Sequence, residues 1–354
     1  MKVDMNGLSL KGLSGSSRDL LMANNFDPSV LRPYLADNGR SYINVMEDGK
    51  LKARPLNNVA ATLRKDDWIM LDTAIVKAAK SRLNFVQDLR GSGLTFSIPG
   101  GMGKTVLQTE SESDVNDATI SMDALRDAPD DRPEYDLVNL PLPITHKDFT
   151  ISLRQLAASR QGGSPFDVSM GELAARKVAE QVEKLALGTA STYTYGGGTI
   201  YGARNFTSTL TKVMTSPATS AWTGGTLINE LLAARKQLTD AYHYGPYNIY
   251  CSPAWDQYLD NDFKTNSDKT LRNRILEIQS FNSVTTVDSL ENYDILIIQM
   301  TSDVVRMVIG MEITTLQWET VGGLQQNFKV MCIMVPQVRA DFNGNAGLLL
   351  GATA

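Results

Sequence analysis

The stretch that decides the fold spans residues 149–188 and reads FTISLRQLAASRQGGSPFDVSMGELAARKVAEQVEKLALG. At its start, Phe149, Ile151 and Leu153 alternate with polar residues. Because successive side chains of a strand point to opposite faces, this period of two predicts a strand with one buried face. The glycines and proline of residues 162–165 then predict a loop.

A long helix is predicted after this loop. Ser169 and Glu172 have the Ser-x-x-Glu spacing of a capping box at a helix N-terminus, and Gly188 stands where a left-handed cap often ends a helix. Between them, apolar residues recur at spacings of three and four, which predicts one buried stripe of about five turns. The stripe comprises Met170, Leu173, Ala174, Val178, Val182, Leu185 and Ala186. None of these residues carries chemistry, so the block predicts a scaffold and favours a function in assembly.

The composition is that of an ordinary soluble globular protein. The chain has 354 residues, of which 42% are apolar and 21% are charged, and this length allows one to three domains. It has no run of 18 apolar residues and no apolar segment at its N-terminus, which predicts neither a membrane span nor a secretory signal. Cys251 and Cys332 lie in apolar, strand-like runs, which indicates reduced and buried thiols, and their spacing gives no reason to expect a disulfide.

The formal charge of −5 is unevenly distributed. Residues 110–136 contain ten acidic residues against Arg126 and Arg132, whereas residues 1–109 carry an excess of Lys and Arg. Two interpretations stay open. The acidic segment is a solvated loop, or it is a protruding arm that lies on a basic surface of a neighbouring copy.

The first part of the chain indicates an arm, a helix and an excursion. Residues 1–62 are rich in Asn, Gly, Ser, Pro and Asp and predict an extended arm. Residues 66–83 predict a helix in which Trp68 and Leu71 share the buried face. Residues 91–139 predict a long two-stranded excursion, which is expected to reach another subunit because a loop of this size is rare inside a compact domain.

The second part adds one helix and many strands. A second capped helix is predicted at 226–242, after a glycine cluster at 196–198 that predicts a flexible turn. The predicted strands after it are 247–251, 284–287, 295–300, 304–309, 313–318 and 328–335. Helices followed by a strand-rich half, without a regular strand–helix alternation, predict an α+β fold.

A tempting chemical motif is IPGGMGKT at residues 98–105. A phosphate-binding loop needs glycine at both ends of a four-residue span and a helix directly after it. Here Ile98 stands at the first glycine position, and the residues after Lys104 lead into the acidic segment. The motif therefore favours a flexible hairpin tip, and nucleotide binding is the lesser alternative.

Other candidate chemistry is sparse. The only histidines are His146, in a predicted strand, and His243, at the end of a predicted helix. A thiol protease that pairs His243 with Cys251 would need an accessible thiolate, whereas Cys251 alternates inward with other apolar residues. No spacing of Cys or His indicates a metal site. We therefore expect no catalytic, cofactor-binding or metal-binding residues.

Several short motifs nevertheless follow one another in a recognisable order. They are DWIMLD (67–72), KSRL (80–83), LPLP (140–143), FTISL (149–153), RKVAE (176–180), GPY (245–247), SPAW (252–255) and VIGMEIT (308–314). Their order and spacing over residues 63–350 resemble encapsulins and the encapsulin-like major capsid proteins of tailed bacteriophages. Both groups share the Hong Kong 97-like fold.

The resemblance implies an architecture. The implied parts are an N-terminal arm (1–62), a helix region (63–90), an extended loop (91–139), a peripheral domain with the spine helix 169–187 (140–225), an axial domain (226–305) and return strands of the peripheral domain (306–354). The chain departs from a typical encapsulin by about sixty extra N-terminal residues and by a longer, more acidic loop. Both departures favour a phage capsid protein.

The resemblance also implies a function and partners. It implies a structural major capsid protein without enzymatic activity or cofactor. Copies would form pentamers and hexamers of an icosahedral shell, with packaged double-stranded DNA on the inner face and with portal, scaffold or cement proteins as further partners. The location would be the virion, after synthesis in the host bacterial cytoplasm, with no membrane contact. The alternatives are an encapsulin-type nanocompartment that holds an enzyme cargo and, with less support, a nucleotide-binding enzyme.

Six residues are expected at contacts between subunits. Trp68 and Leu71 lie on the helix that borders the arm. Lys104 is the single lysine of the extended loop, through which some relatives form covalent cross-links. Asp114, Asp117 and Asp123 represent the acidic segment.

Overall fold

The structure is a computed structural model. It describes residues 33–36, 38, 40–47, 50–55, 63, 65–80, 83–112, 120, 122, 135–152, 154, 168–220, 222–264, 268–320, 325–341 and 343–353. These residues divide into two compact units. Unit 1 comprises the described parts of 1–105, 142–186 and 307–336, and unit 2 comprises those of 106–141, 187–306 and 337–354.

Helices and strands both contribute to the fold. The helices are α1 (Lys65–Lys80), α2 (Asn84–Gly91), α3 (Ser169–Leu187), α4 (Gly224–Asp240), α5 (Asp256–Leu259) and α6 (Leu271–Leu276). The strands up to the glycine cluster are β1 (Tyr34–Leu35), β2 (Ser41–Glu47), β3 (Lys50–Pro55), β4 (Thr95–Ser97), β5 (Val106–Glu112), β6 (Tyr135–Pro141), β7 (Thr145–Ser152), β8 (Tyr193–Tyr195) and β9 (Gly198–Ile200). The later strands are β10 (Leu210–Met214), β11 (Tyr247–Cys251), β12 (Phe281–Thr286), β13 (Ile295–Gln299), β14 (Val305–Thr320), β15 (Gln325–Val338) and β16 (Leu348–Thr353). The α+β prediction is confirmed.

Unit 1 contains a four-stranded sheet in the order β4-β14-β15-β7. β4 runs parallel to β14, and β7 runs antiparallel to β15 with Phe149 opposite Phe328. The two phenyl rings stack with their centroids 5.0 Å apart, and the Trp68 ring meets Phe328 edge-on at 6.1 Å. These three rings form the centre of the apolar core on this sheet.

The helix α3 has the predicted length, and its buried face agrees with the predicted stripe in part: Ala174, Val178, Val182 and Ala186 are buried as predicted. Its first hydrogen bond joins the Glu172 amide to the Val168 carbonyl, so Ser169 lies inside the first turn. Met170 and Leu173, predicted inside, are about half exposed. The buried positions are Gly171, Ala174, Ala175, Val178, Ala179, Val182, Glu183, Ala186 and Leu187. Glycine and alanine thus make up much of the buried face, while Met170 and Leu173 in the first turns face outward.

The glycine and alanine residues on the buried face of α3 let α1 approach closely. A Cβ atom added to Gly171 would lie 2.7 Å from Leu71 Cδ1, closer than real side chains pack, and 3.6 Å from Ile75 Cδ1. Leu71 is fully buried, and Trp68 is almost fully buried, with its indole nitrogen donating to the Pro33 carbonyl at 3.1 Å. The predicted buried face of the first helix is therefore confirmed.

One buried carboxylate fixes the start of α2. Glu183 on α3 accepts hydrogen bonds from the backbone amides of Phe85, at 2.6 Å, and Val86, at 3.3 Å. Amides of a first helical turn have no acceptor within their own helix, so Glu183 acts as a cap supplied by another helix. Burial raises the pKa of Glu183 to about 7; the two amide hydrogen bonds oppose this shift, and Asp88 adds to it.

Unit 2 contains a five-stranded sheet in the order β10-β16-β13-β11-β12. All residues of β11 and β13 are buried, and α4 covers the sheet with Leu227, Leu231 and Leu238. The Thr223 hydroxyl caps α4 by accepting from the Thr226 amide at 3.2 Å. The second predicted helix thus forms, and it begins two residues earlier than expected.

The boundaries of the units differ from the implied domains. The strands β10 and β16 hydrogen-bond to each other, and β16 also pairs with β13, so 187–225 and 337–354 lie in unit 2 with most of the implied axial residues. Within the expected extended arm, Tyr34–Leu35, Ser41–Glu47 and Lys50–Pro55 form the three-stranded sheet β1-β2-β3. The roles of these segments as arm, peripheral domain and axial domain of a shell subunit stay a prediction.

Replacing Trp68 or Leu71 by alanine should destabilise the protein by about 2–5 kcal/mol, because each change leaves a cavity in the core of unit 1. Ile69 is the matched control, since its side chain lies on the same helix and is 55% exposed. Ile69→Ala should change stability by less than about 0.5 kcal/mol. Urea unfolding measures the stability of all three variants. Equal unfolding midpoints for Leu71→Ala and Ile69→Ala would contradict the described packing.

Glu183→Gln should remove a pH dependence of stability. Between the ordinary pKa of 4.5 and the folded value of about 7, the folded state holds a proton that the unfolded state has released. This contribution stabilises the fold at low pH and is lost as the pH rises through 7. Glutamine stays neutral and keeps an oxygen acceptor for the Phe85 amide, whereas the Val86 amide, which donates to the second carboxylate oxygen, loses its acceptor equally at every pH.

As the pH rises from 5 to 8, the free energy of unfolding of the variant should therefore increase relative to that of the parent, by up to roughly 3 kcal/mol. Denaturant titrations of both proteins at several pH values measure this difference. A difference that stays constant with pH would show that Glu183 does not titrate in the folded state.

Candidate assembly surface

The predicted two-stranded excursion is present as an antiparallel ribbon of β5 and β6. Its register pairs Val106 with Pro141 at the base and Glu112 with Tyr135 at the far end. Two-stranded ribbons are only marginally stable alone, and they need further packing to persist. The ribbon is therefore the natural place to look for contacts with another molecule.

A short hairpin braces the base of the ribbon. The Asn139 side-chain amide donates to the Gly196 carbonyl at 3.2 Å, and a Cβ atom on Gly198 would overlap the Asn139 carbonyl. A Cβ atom on Gly196 would come within 2.7 Å of the Val106 side chain. The glycine cluster, which the sequence predicts as a flexible turn, is thus a packing surface where β8 and β9 meet β6.

The ribbon exposes apolar side chains on both faces. Tyr135 and Leu137 on one face are 60% and 61% exposed, and Val138 on the other is 49% exposed. Sequence reasoning attended to the acidic residues here and missed these three. The signal was present, because all three stand within four residues, between Glu134 and the buried Leu140. Exposed apolar clusters of this kind mark interaction surfaces.

Beyond the ribbon strands, Ile120 and Met122 are described, with 98% and 106% of their reference surface exposed. Asp114, Asp117 and Asp123 lie outside the described residues. Their expected contact with a neighbouring copy stays a prediction. The apolar pair lies within the acidic segment, so charge is not the segment's sole binding property.

Lys104 is exposed and lies two residues before the start of β5 at Val106. Residues Gly101–Gly103 form one 3₁₀ turn, whose Gly101 packs so tightly on Gly310 that a Cβ atom would overlap the backbone there. The next element is the strand β5, so the helix that a phosphate-binding loop requires is replaced by a strand. The geometry around Lys104 does not form a nucleotide site.

The two helix residues predicted at subunit contacts are covered by their own chain. Trp68 and Leu71 are both buried in unit 1. The outward side of α1 instead exposes Ile69, Met70 and Val76. Any effect of Trp68 or Leu71 on assembly would act through the shape of unit 1.

Three further observations limit the possible chemistry of the described residues. Cys251 and Cys332 are free and buried, and burial raises the pKa of each thiol to about 12, which leaves both poor nucleophiles. Within the described part of the chain, no three His, Cys, Asp or Glu side chains are grouped so that they could hold a metal ion. None of the described helices has the length and hydropathy to cross a membrane.

Comparisons with solved structures identify the fold. The chain is similar to the virus-like particle from Pyrococcus furiosus, with a TM-score of 0.58 at 14% identity over 80% of this chain and 99% of that one. It is also similar to the capsid of Myoviridae phage XM1, with a TM-score of 0.56 at 9% identity over 71% and 86% of the two chains. The capsid of a native gene transfer agent particle gives a TM-score of 0.52 at 13% identity over 75% and 89%. This fold is the Hong Kong 97-like fold, as the sequence motifs predict.

Comparisons by sequence are less specific. No curated protein matches the chain. One family model, described as a family of unknown function (DUF6260), matches residues 57–351. This match covers most of the chain, and we conclude that the protein belongs to the DUF6260 family and has the Hong Kong 97-like fold.

Proposed function

We propose that the protein is a structural major capsid protein whose copies assemble into the icosahedral shell of a bacteriophage. The observation that carries this proposal is the ribbon of β5 and β6, which exposes Tyr135, Leu137 and Val138. A second copy of the chain is a fitting partner, because the fold is one that the similar structures use in closed particles.

The fold favours this function over the two alternatives. Most of the similar structures are phage capsids, which favours a capsid over a nanocompartment with an enzyme cargo. The strand that follows Lys104 disfavours a nucleotide-binding enzyme. The proposed role is structural and requires no catalytic residue or cofactor.

The finer parts of the proposal follow from the resemblance. Pentamers and hexamers would form the lattice, with double-stranded DNA inside and with portal, scaffold or cement proteins as accessory partners. The protein would reside in the virion after synthesis in the host cytoplasm. Asp114, Asp117 and Asp123 would face a basic surface of a neighbouring copy, and Lys104 would lie near the same contact.

The purified protein should form closed shells, or rings that convert to shells. Gly198→Ala should greatly reduce their yield, because the added methyl group collides with the Asn139 carbonyl and displaces the hairpin from the ribbon. Gly225→Ala is the matched control, since the nearest group to its added Cβ is the Thr223 hydroxyl at 3.7 Å.

Sedimentation and electron microscopy measure shell formation, and circular dichroism checks the fold. A parent protein that stays monomeric at high concentration and moderate salt would refute the proposed function. Equal shell yields for Gly198→Ala and Gly225→Ala would show that assembly does not depend on the contact between the hairpin and the ribbon.

Replacing Asp114, Asp117 and Asp123 together by asparagine should lower the shell yield while leaving the fold of the subunit intact. Each exposed ion pair contributes only about 0–1 kcal/mol, but the contact repeats in every subunit of a shell. High salt should weaken the parent shells in the same direction, because salt screens exposed charges. Identical shell yields of parent and triple variant at low salt would mean that the acidic segment is a solvated loop.

A further inference from the structure

Unit 1 contains a cleft between α1 and α2 that neither the fold nor the proposed ribbon contacts explain. Its volume is about 350 Å³, within the roughly 300–1,000 Å³ of pockets that bind small ligands. Its apolar wall is formed by Val76, Ala79, Leu83, Ile313 and Met334. We call this space the α1–α2 cleft.

The rim of the α1–α2 cleft has an excess of positive charge. Arg90 is held by Glu312, with Nη2 2.8 Å from the carboxylate, so this pair is locally neutral. Lys80 is exposed and has no ion-pair partner among the residues that the structure describes. The cleft is therefore suited to an apolar group that carries acidic neighbours.

The chain itself contains a segment of this chemistry. Ile120 and Met122 have essentially their whole side chains in solvent, and the sequence places Asp117 and Asp123 beside them. Two large apolar side chains in full contact with water are costly unless a partner covers them. Binding hot spots commonly consist of such anchors inserted into a pocket with polar residues around its edge.

We propose that Ile120 and Met122 of one copy dock in the α1–α2 cleft of a second copy, with the flanking acidic residues next to Lys80. This inference rests on the proposed function, in which copies of the chain meet in a shell, and it names the surface that receives the acidic segment. The apolar pair provides the anchor, and the charges orient the segment. The contact is thus less dependent on salt than one made by acidic residues alone.

Disulfide trapping between two variants that each carry one added cysteine tests this docking. One variant carries Met122→Cys and the other carries Val76→Cys, and the two are mixed before assembly under mild oxidation. Both native side chains are exposed, at 106% and 41%, so neither change disturbs the core. The native Cys251 and Cys332 are buried, which keeps the background low.

The mixture should give a covalent dimer that neither variant gives alone. Ile69→Cys replaces Val76→Cys in the matched control, because Ile69 is exposed on the same helix but does not line the cleft. Lys80→Glu added to the Val76→Cys variant should slow trapping, and this effect should fade at high salt.

Shells that form without this cross-link, or that cross-link equally through Ile69→Cys, would overturn the docking while leaving the capsid function intact. Occupation of the cleft by another part of the same copy would likewise leave the mixture without a dimer. If the parent forms no shells, the capsid function fails on its own. The docking is then tested by the same mixture in concentrated solution, where the absence of a dimer refutes it.

Discussion

Unit 1 depends on how closely α1 and α3 can approach. Gly171 leaves room for the Leu71 side chain, and alanines occupy much of the remaining buried face of α3. Because the distance between packed helices is set by the side chains at the contact, this face places α1 deep in the core. From there Trp68 reaches the stacked Phe149 and Phe328, which belong to the sheet. Helix α3 also supplies Glu183, which accepts a hydrogen bond from the first turn of α2. One helix thus positions the other helices of the unit and its sheet.

The length of α3 and most of its buried stripe could be predicted from the sequence, but the exposure of Met170 and Leu173 could not. Periodicity marks a stripe of apolar residues, and a stripe ranked by hydrophobicity places Met170 and Leu173 inside. Whether a residue fits in the core depends on the volume of its side chain as well as on its polarity. Where two helices pack closely, only small residues such as glycine and alanine fit between them. Glu183 was overlooked for the same reason. A carboxylate within an apolar face is usually a sign of exposure, and the hydrogen bonds that Glu183 accepts from the first-turn amides of α2 explain its burial.

Long-range pairing was the other part that the sequence could not predict. The strand β16 lies between β10 and β13, and nothing in residues 348–353 indicates these partners. The ribbon of β5 and β6 was predicted because its strands are bounded by a turn-rich acidic segment. Its exposed Tyr135 and Leu137 were missed because the charges dominated the interpretation. The glycines at 196–198 were assigned to flexibility, whereas their missing side chains provide the space that Asn139 occupies.

The burial of the two thiols affects how the subunit responds to oxidising conditions. Cys251 and Cys332 are buried in separate units, and burial keeps each of them protonated at neutral pH. A protonated, covered thiol reacts slowly with oxidants and with other thiols. The two thiols of the folded subunit are therefore expected to stay reduced in both reducing and oxidising surroundings. A change from reducing to oxidising surroundings would therefore create no disulfide from these two thiols in the folded subunit.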